Sequence, residues 1–193
     1  GRIRIEAARL QSLVADIIQL SQLDDMSSEA VEGQAPEQAK FAPVSLLVLA
    51  RRCTESLALN AQKAYVTLLA EGEDLTVQGD QRLLEELCFN LCDNAIRYNR
   101  PGGRVILHVE TRDGHPTLRV EDNGIGISPE HQARVFERFY RVDKSRSKAT
   151  GGTGLGLAIV KHIALLHGAQ LKLESRENEG TTITVLFPVQ SKK

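Results

Sequence analysis

The chain has 193 residues, of which 41% are hydrophobic, enough to bury one sizeable core with a smaller element beside it. With 24 basic and 25 acidic residues the formal net charge is -1, so composition favours no nucleic-acid partner. Cys88 and Cys92 are spaced Cys-x-x-x-Cys, which favours reduced core cysteines over a disulfide or a zinc site. The sequence contains neither an apolar stretch of the roughly 20 residues needed to cross a bilayer nor a signal-peptide pattern. We therefore expect this chain to be cytoplasmic.

Residues 1–26 predict a long helix. Its apolar residues recur at close to heptad spacing, with two more widening the stripe: Ile3, Leu10, Leu13, Ile17 and Leu20, then Val14 and Ile18. Residues 27–40 have no apolar period and have the composition of a linker. This separation favours association of the stripe with another helix over packing on the chain's own domain.

Residues 41–190 predict one α+β domain, a two-layer α/β sandwich with a mixed, mainly antiparallel sheet packed on three helices. We expect a strand at Phe41–Val44, a helix from Ser45 to about Gln62, a hairpin of Tyr65–Leu69 with Leu75–Gln78, a helix from Asp80 to about Asn99, a hairpin of Arg104–Thr111 with Thr117–Glu121, a short helix from Ser128, a helix over Leu155–His167, and strands at Gln170–Glu174 and Thr181–Phe187.

The helix from Asp80 has a polar face that could hold a cation. Asn90 and Asn94 lie one turn apart on it, and Arg97 follows at the next turn. Two carboxamide oxygens suit Mg²⁺, which takes few protein ligands and completes its shell with water and phosphates. The alternative is a pair of solvated asparagines, which an isolated Asn-x-x-x-Asn pattern favours.

A second candidate element follows the strand that ends near Glu121. Asp122 stands at the strand end, and Gly124 and Gly126 allow the backbone to turn sharply beside a ligand. An ionised carboxylate there could accept a hydrogen bond from the exocyclic amine of adenine. An ordinary turn before the helix at Ser128 explains the same residues equally well.

A third element is the glycine-rich run 151–157, which leads directly into an apolar helix. Glycines before a helix expose N–H groups and the positive end of the helix dipole, which together bind phosphates. Leu157 stands where a P-loop needs Lys and where a dinucleotide fingerprint needs Gly, so both are excluded. Lys144, Arg146 and Lys148 lie just upstream, in a basic loop that could close over a triphosphate or remain a solvated surface loop.

These pieces, in this order, resemble the catalytic and ATP-binding domain of bacterial two-component sensor histidine kinases, within the GHKL group that includes gyrase. Residues 90–98 resemble the N box, 122–126 the first glycine box, 136–141 the F box and 152–157 the second glycine box. Each motif is weak alone, but four in sequence are specific. The resemblance covers about Phe41 to Pro188.

The resemblance implies binding of ATP, with ADP as product, and of Mg²⁺ on Asn90 and Asn94. It implies the following set of nucleotide-binding residues: Asn90, Asn94, Arg97, Tyr98, Asp122, Gly124, Gly126, Ile127, Tyr140, Arg141, Gly152, Thr153, Gly154, Leu155, Gly156 and Thr182. Arg97 stands where the family usually has Lys, which keeps the charge and changes its geometry. Asn90 stands where the hydrolysing relatives have a glutamate base, which favours phosphoryl transfer over hydrolysis.

The N-terminal helix resembles the second helix of the family's dimerisation domain. The first helix, which carries the phosphoacceptor histidine, is absent, and no histidine of this chain has the acceptor setting. We therefore expect a fragment that binds nucleotide without phosphorylating itself, from a homodimeric membrane sensor that passes phosphate to a response regulator receiver domain. The alternatives are a nucleotide-binding module without transfer activity, an anti-sigma-type serine kinase, which the heptad stripe disfavours, and a gyrase-type ATPase, which Asn90 disfavours.

Overall fold

The computed structural model describes residues 7, 10, 11, 13–18, 20–24, 41–142 and 152–189. The elements are α1 (helical residues between 7 and 24), β1 (Ala42–Ser45), α2 (Leu46–Lys63), β2 (Thr67–Gly72), β3 (Thr76–Gly79), α3 (Gln81–Arg97), β4 (Arg104–Arg112), β5 (His115–Asp122), α4 (Pro129–Gln132), α5 (Gly156–Leu166), β6 (Gln170–Arg176) and β7 (Gly180–Leu186). The expected linker at 27–40 and the basic residues Lys144, Arg146 and Lys148 lie outside the described residues.

A five-stranded sheet in the order β2-β4-β5-β7-β6 forms one layer, and β1 pairs with β3 in a separate two-stranded sheet. The pair β2 and β4 is parallel, whereas the other neighbours are antiparallel. Alternate residues of β4, Val105, Leu107 and Val109, are fully buried in the same core as the apolar faces of α2, α3 and α5. The predicted α+β class, with a mixed, mainly antiparallel sheet on three helices, is confirmed.

The two long helices begin where capping residues predict. The Ser45 hydroxyl accepts a hydrogen bond from Val48 N–H, and the Asp80 carboxylate accepts one from Leu83 N–H. Each cap satisfies an amide that has no partner inside the helix. The cap at Asp80 thus fixes the residue at which α3 begins. The starting residue in turn determines which side chains lie on the polar face of the helix.

The expected hairpin between Tyr65–Leu69 and Leu75–Gln78 is wrong. Both segments contain strands, but β2 pairs in parallel with β4 and β3 pairs with β1. At Gly72, with φ +123, the chain turns so closely over β4 that a β-carbon would lie 2.0 Å from the Val109 carbonyl oxygen. Glu73 N–H then donates to that same oxygen at 2.7 Å, so the chain leaves β2 along β4 instead of folding back on itself.

The second predicted hairpin is confirmed, because β4 and β5 are antiparallel neighbours joined at Asp113 and Gly114. Both turn residues have positive φ, 51° and 80°. Two such residues define the hairpin turn whose twist matches that of the strands. This hairpin sets the register of β5, at whose end Asp122 lies.

The N-terminal helix packs partly on its own domain, which the heptad stripe did not favour. Leu20 and Leu23 are 3% and 1% exposed and belong to the domain core. Asp24 forms an ion pair with Arg138, and Asp16 accepts a hydrogen bond from the Thr153 hydroxyl at 2.7 Å. The rest of the stripe stays exposed to solvent, at Leu10, Val14, Ile17 and Ile18. Within the described part of the chain, none of the helices is both long and apolar enough to cross a bilayer.

Candidate nucleotide-binding site

A single cavity of about 680 Å³ brings together the three elements singled out in the sequence. Its walls come from the polar face of α3, the end of β5 with the loop after it, and the residues leading into α5. Thirteen of the sixteen expected binding residues line it: Asn90, Asn94, Arg97, Tyr98, Asp122, Gly126, Ile127, Tyr140, Arg141, Gly152, Thr153, Gly154 and Gly156. Stretches up to 66 residues apart in sequence therefore share one site.

The polar face of α3 is held in place by bonds within the helix. Asn90 donates from its side-chain nitrogen to the Glu86 carbonyl at 3.0 Å, which directs its side-chain oxygen towards the start of α5. Arg97 donates to the Asp93 carboxylate one turn earlier, at 2.6 Å. Carboxamide oxygens with helix-fixed positions match the hard oxygen ligands that Mg²⁺ takes.

Asp122 supplies a carboxylate in a poorly hydrated part of the cavity. Its Oδ1 accepts hydrogen bonds from Gly124 N–H at 2.8 Å and Thr181 N–H at 3.3 Å, so among the described contacts Oδ2 is left to face the cavity. Burial raises the pKa of Asp122 from 3.8 to about 6, although these two hydrogen bonds favour the ionised form. The site therefore holds an acceptor that is ionised at neutral pH, and no cationic side chain among the described residues lowers its pKa.

Close backbone packing shapes the loop after Asp122. Gly126 has φ +68, and a β-carbon there would lie 1.9 Å from the Arg176 carbonyl oxygen. Gly124 lies against the end of α3, where a β-carbon would be 2.5 Å from the Tyr98 carbonyl oxygen. Ile125 N–H donates to that same oxygen at 3.1 Å. Only glycine fits at 124 and 126, since any larger residue would separate the loop from α3 or from the end of β6.

The start of α5 provides a potential anion site. Its N-cap residue Leu155 makes no side-chain capping hydrogen bond, so within the described part of the chain the N-cap side chain does not satisfy the first N–H groups of the helix. Gly156 approaches α3 so closely that a β-carbon would lie 2.9 Å from the Asn90 side-chain oxygen. The positive end of the helix thus lies beside the carboxamide expected to hold a cation, as a phosphate-bound Mg²⁺ would require.

Arg141 places positive charge in the same cavity. Its Nε and Nη2 are buried and have no hydrogen-bond partner among the described residues. Leaving such donors unpaired costs free energy, because burial removes the water that would otherwise bind them. Gly154 packs on the Arg141 side chain, which places the guanidinium next to the glycine run. An anionic ligand would satisfy these donors.

Tyr140 is positioned by a small aromatic cluster. Its hydroxyl lies 2.6 Å from His131 Nδ1, and the Arg134 guanidinium stacks over its ring at 4.2 Å. Phe139 N–H donates to the Gly154 carbonyl at 2.9 Å, which joins the 136–141 segment to the glycine run. The segment resembling the F box is therefore part of the cavity wall.

Three expected residues do not line the described cavity. Gly124 lies behind Asp122 and supports it through its N–H group. Leu155 is completely buried in the core, and Thr182 lies in β7 opposite Glu121. Thr181, one position earlier, lines the cavity and donates to Asp122.

Sequence reasoning missed several supporting residues. Ser175 accepts a hydrogen bond from Ile127 N–H at 2.8 Å, and Arg100 donates to the carbonyls of Gly124 and Asn178. Asp16 reaches the cavity from α1, and burial raises the pKa of its carboxyl. No local pattern marks these residues, because the contacts depend on how distant segments pack; only Asp93, four residues before Arg97, had a sequence signal.

Comparison with known proteins identifies the family to which this chain belongs. Residues 79–191 match the family described as histidine kinase-, DNA gyrase B- and HSP90-like ATPase. Sensor-like histidine kinase SenX3 of Mycobacterium tuberculosis is 38% identical over 188 residues, covering 97% of this chain and 44% of that protein. The chain thus spans less than half the length of this curated relative.

Solved structures show the same fold. The mycobacterial sensor histidine kinase MprB superposes with a TM-score of 0.66 and 32% identity, covering 77% of this chain and 97% of that one. Full-length ShkA in complex with AMPPNP superposes with a TM-score of 0.78 and 26% identity, covering 97% of this chain and 37% of that one.

Fold, site and family match together define an ATPase domain of the GHKL type. Within that class the chain belongs to the histidine kinases, as the ATP-binding catalytic domain of a two-component sensor kinase.

Proposed function

We propose that this chain binds Mg-ATP in the cavity and transfers the γ-phosphoryl group to a histidine on a separate dimerisation helix. The observation that carries the proposal is the meeting of three features in one cavity: the Asp122 carboxylate, the carboxamides of α3 and the uncapped start of α5. They match, in turn, an adenine amine, a hard cation and a triphosphate.

Each residue has a defined task in this proposal. Asp122 Oδ2 accepts from the adenine amine, while Gly124 and Thr181 hold Oδ1. Asn90 and Asn94 present oxygens to Mg²⁺, which when bound neutralises developing phosphate charge. Arg141 and the N–H groups at the start of α5 bind phosphate oxygens, and the following residues complete the site: Arg97, Tyr98, Gly126, Ile127, Tyr140, Gly152, Thr153, Gly154 and Gly156.

The phosphoacceptor must come from outside this chain. The five histidines are His108, His115, His131, His162 and His167. His167 is buried and accepts from Asp80 N–H at 3.0 Å, and His131 contacts the Tyr140 hydroxyl. His108 lies between Glu71 and Glu121, on the sheet. The contacts of these three histidines are structural, which supports a catalytic domain that acts on another helix.

The surrounding protein is proposed from the relatives. SenX3 is named a sensor-like histidine kinase, and the chain spans 44% of it. We infer that residues 1–26 form part of a dimerisation helix, 27–40 a linker and 41–190 the catalytic domain of a homodimeric membrane sensor. This part would lie in the cytoplasm and phosphorylate a response regulator through the acceptor histidine. The exposed stripe of Leu10, Val14, Ile17 and Ile18 supports pairing with further helices.

The decisive experiment has two parts. Mg-ATP binding is measured by calorimetry for the parent, Asp122→Asn and the matched control Asp113→Asn, whose carboxyl lies in the exposed hairpin turn. Losing a hydrogen bond to a charged group costs about 1.5–3 kcal/mol, so Asp122→Asn should weaken binding by roughly 10- to 150-fold. Asp113→Asn should bind like the parent, and equal affinity in all three proteins would refute the pocket assignment.

Transfer is tested separately, with γ-labelled ATP and a protein that carries a sensor kinase dimerisation domain with its acceptor histidine. Acid-labile label on that protein, lost in Asp122→Asn, is the expected result. Tight nucleotide binding without label would identify the binding module that the missing histidine also allows. Acid-stable label on serine, or steady phosphate release, would instead support a serine kinase or an ATPase.

A further inference from the structure

A buried cluster of three thiols lies in the helical layer, away from the nucleotide cavity. Cys53 of α2 meets Cys88 and Cys92 of α3, and their sulfur atoms all lie within 4.8 Å of one another. They are all the cysteines of the chain, and all are free thiols. The Cys-x-x-x-Cys spacing gave no metal signal because the third sulfur comes from another helix.

The spacing of the sulfurs is close to that of a trithiolate site. With a bond of about 2.3 Å to each sulfur and the narrow angles of a pyramidal three-coordinate site, ligand sulfurs lie roughly 3.4 Å apart, so each pair must approach by no more than about 1.4 Å. Cysteine rotamers on two adjacent helices allow such a movement without displacing the backbone.

The surroundings decide which ion fits. Cys88 and Cys92 are 0% exposed and Cys53 is 6% exposed, and within the described residues the ligand group consists of these three side chains. Zn²⁺ requires a fourth ligand and would leave one net negative charge in the core, and Cu⁺ would leave two. A trivalent metalloid bound by three thiolates is neutral and three-coordinate, so it needs neither a further ligand nor a buried counter-ion.

We propose that Cys53, Cys88 and Cys92 form a binding site for a trivalent metalloid ion such as arsenic(III) or antimony(III). Arsenous acid would exchange its three hydroxyl groups for the three sulfurs. Three As–O bonds break, three As–S bonds form, and each departing hydroxyl leaves as water with a thiol proton, so arsenic keeps its oxidation state. Entry is from the Cys53 side, where the cluster is least covered.

The same helix connects this site with the nucleotide cavity. Asn90 lies between Cys88 and Cys92 in sequence and faces the opposite side of α3. An ion at the thiols would fix α3 to α2 on its apolar face, while the polar face remains available. Metalloid binding should therefore stabilise the folded domain.

The test uses sodium arsenite with the full chain, in a reductant that contains no thiol. We expect one arsenic per chain by native mass spectrometry, protection of all three thiols from a thiol reagent, and a rise in Tm of about 5–10 °C when arsenite is at a hundredfold excess over its Kd. Cys53→Ala should bind at least tenfold more weakly. Ser56→Ala, a similar truncation one turn along α2 that keeps all three thiols, should bind like the parent.

Three outcomes would overturn the proposal: no arsenic on the folded parent at equilibrium, equal binding by Cys53→Ala, or a larger Tm rise with Zn²⁺ than with arsenite. Circular dichroism checks that Cys53→Ala is folded, and Cys92→Ala replaces it if it is not. Undiminished arsenite binding by that second variant would equally refute a three-sulfur site.

Discussion

Replacing Asp122 by Asn should make the free protein more stable at neutral pH while it loses nucleotide affinity. The asparagine oxygen can still accept from Gly124 and Thr181 N–H, so the local hydrogen bonds survive. What disappears is a partly buried negative charge. Since burial raises the pKa of Asp122 from 3.8 to about 6, its ionisation costs the folded state up to about 3 kcal/mol at pH 7.

The direction in which stability changes with pH follows from the raised pKa of Asp122. The folded protein holds the Asp122 proton more tightly than the unfolded chain, so between pH 3.8 and about 6 the native state binds more protons. Stability of the parent therefore falls as pH rises through this window. The advantage of Asp122→Asn should grow by about 1.3 kcal/mol between pH 5 and pH 7 and change little above pH 7.

Urea unfolding followed by circular dichroism at pH 5, 6, 7 and 8, without nucleotide, measures this difference for the parent, Asp122→Asn and Asp113→Asn. The control should follow the parent at every pH. A variant that is less stable than the parent at pH 7, or an advantage that does not change between pH 5 and pH 7, would show that Asp122 is not destabilised by burial.

Other substitutions test neighbouring features. Leu23→Ala should lower the free energy of unfolding by about 2–5 kcal/mol in urea, and Leu10→Ala by less than about 0.5 kcal/mol, because only Leu23 is buried in the core; equal effects would mean that α1 does not dock. Gly126→Ala should reduce Tm by several degrees because its β-carbon meets a carbonyl oxygen, whereas Gly102→Ala, with a similar φ of +81 and nothing within 4 Å, should show only the smaller cost of backbone strain. Arg141→Gln should weaken Mg-ATP binding by roughly tenfold or more in calorimetry without weakening the free domain, since the lost donors have no described partner; unchanged affinity would exclude a phosphate contact.

The sequence correctly predicted those helix starts and turns that depend only on residues close together in the chain. Ser45 and Asp80 cap their helices, and Asp113-Gly114 forms its hairpin, because short-range hydrogen bonds and allowed dihedral angles decide these features. The pairing of β2 with β4 is not local. Its parallel register joins Thr67 to Arg104, and Gly72 has a role only once β4 lies beneath it, so the sequence favoured a hairpin that does not form.

The same distinction explains the site and the N-terminal helix. The sequence predicted three of the cavity residues, Asn90, Asp122 and Gly156, because each lies in a short motif that is recognisable from neighbouring residues alone. Asp16 and Ser175 lie in no such motif and reach the cavity through tertiary packing. Heptad periodicity showed that one face of α1 is apolar, but it contained no information on which surface would cover Leu20 and Leu23.

The cavity contains two buried groups of opposite charge, and burial is unfavourable for each of them. Among the described residues, the Asp122 carboxylate has no cationic partner and the buried donors of Arg141 have no acceptor, and the two groups lie on different walls of one cavity. Pairing the two groups with each other would stabilise the free protein, but Asp122 lies at the end of β5 and Arg141 lies beside the glycine run. A ligand with a hydrogen-bond donor at one end and anions at the other relieves both costs at once, and an adenine triphosphate has this polarity. On the proposed function, ligand binding removes both costs, and this favours the nucleotide over ligands that lack either group.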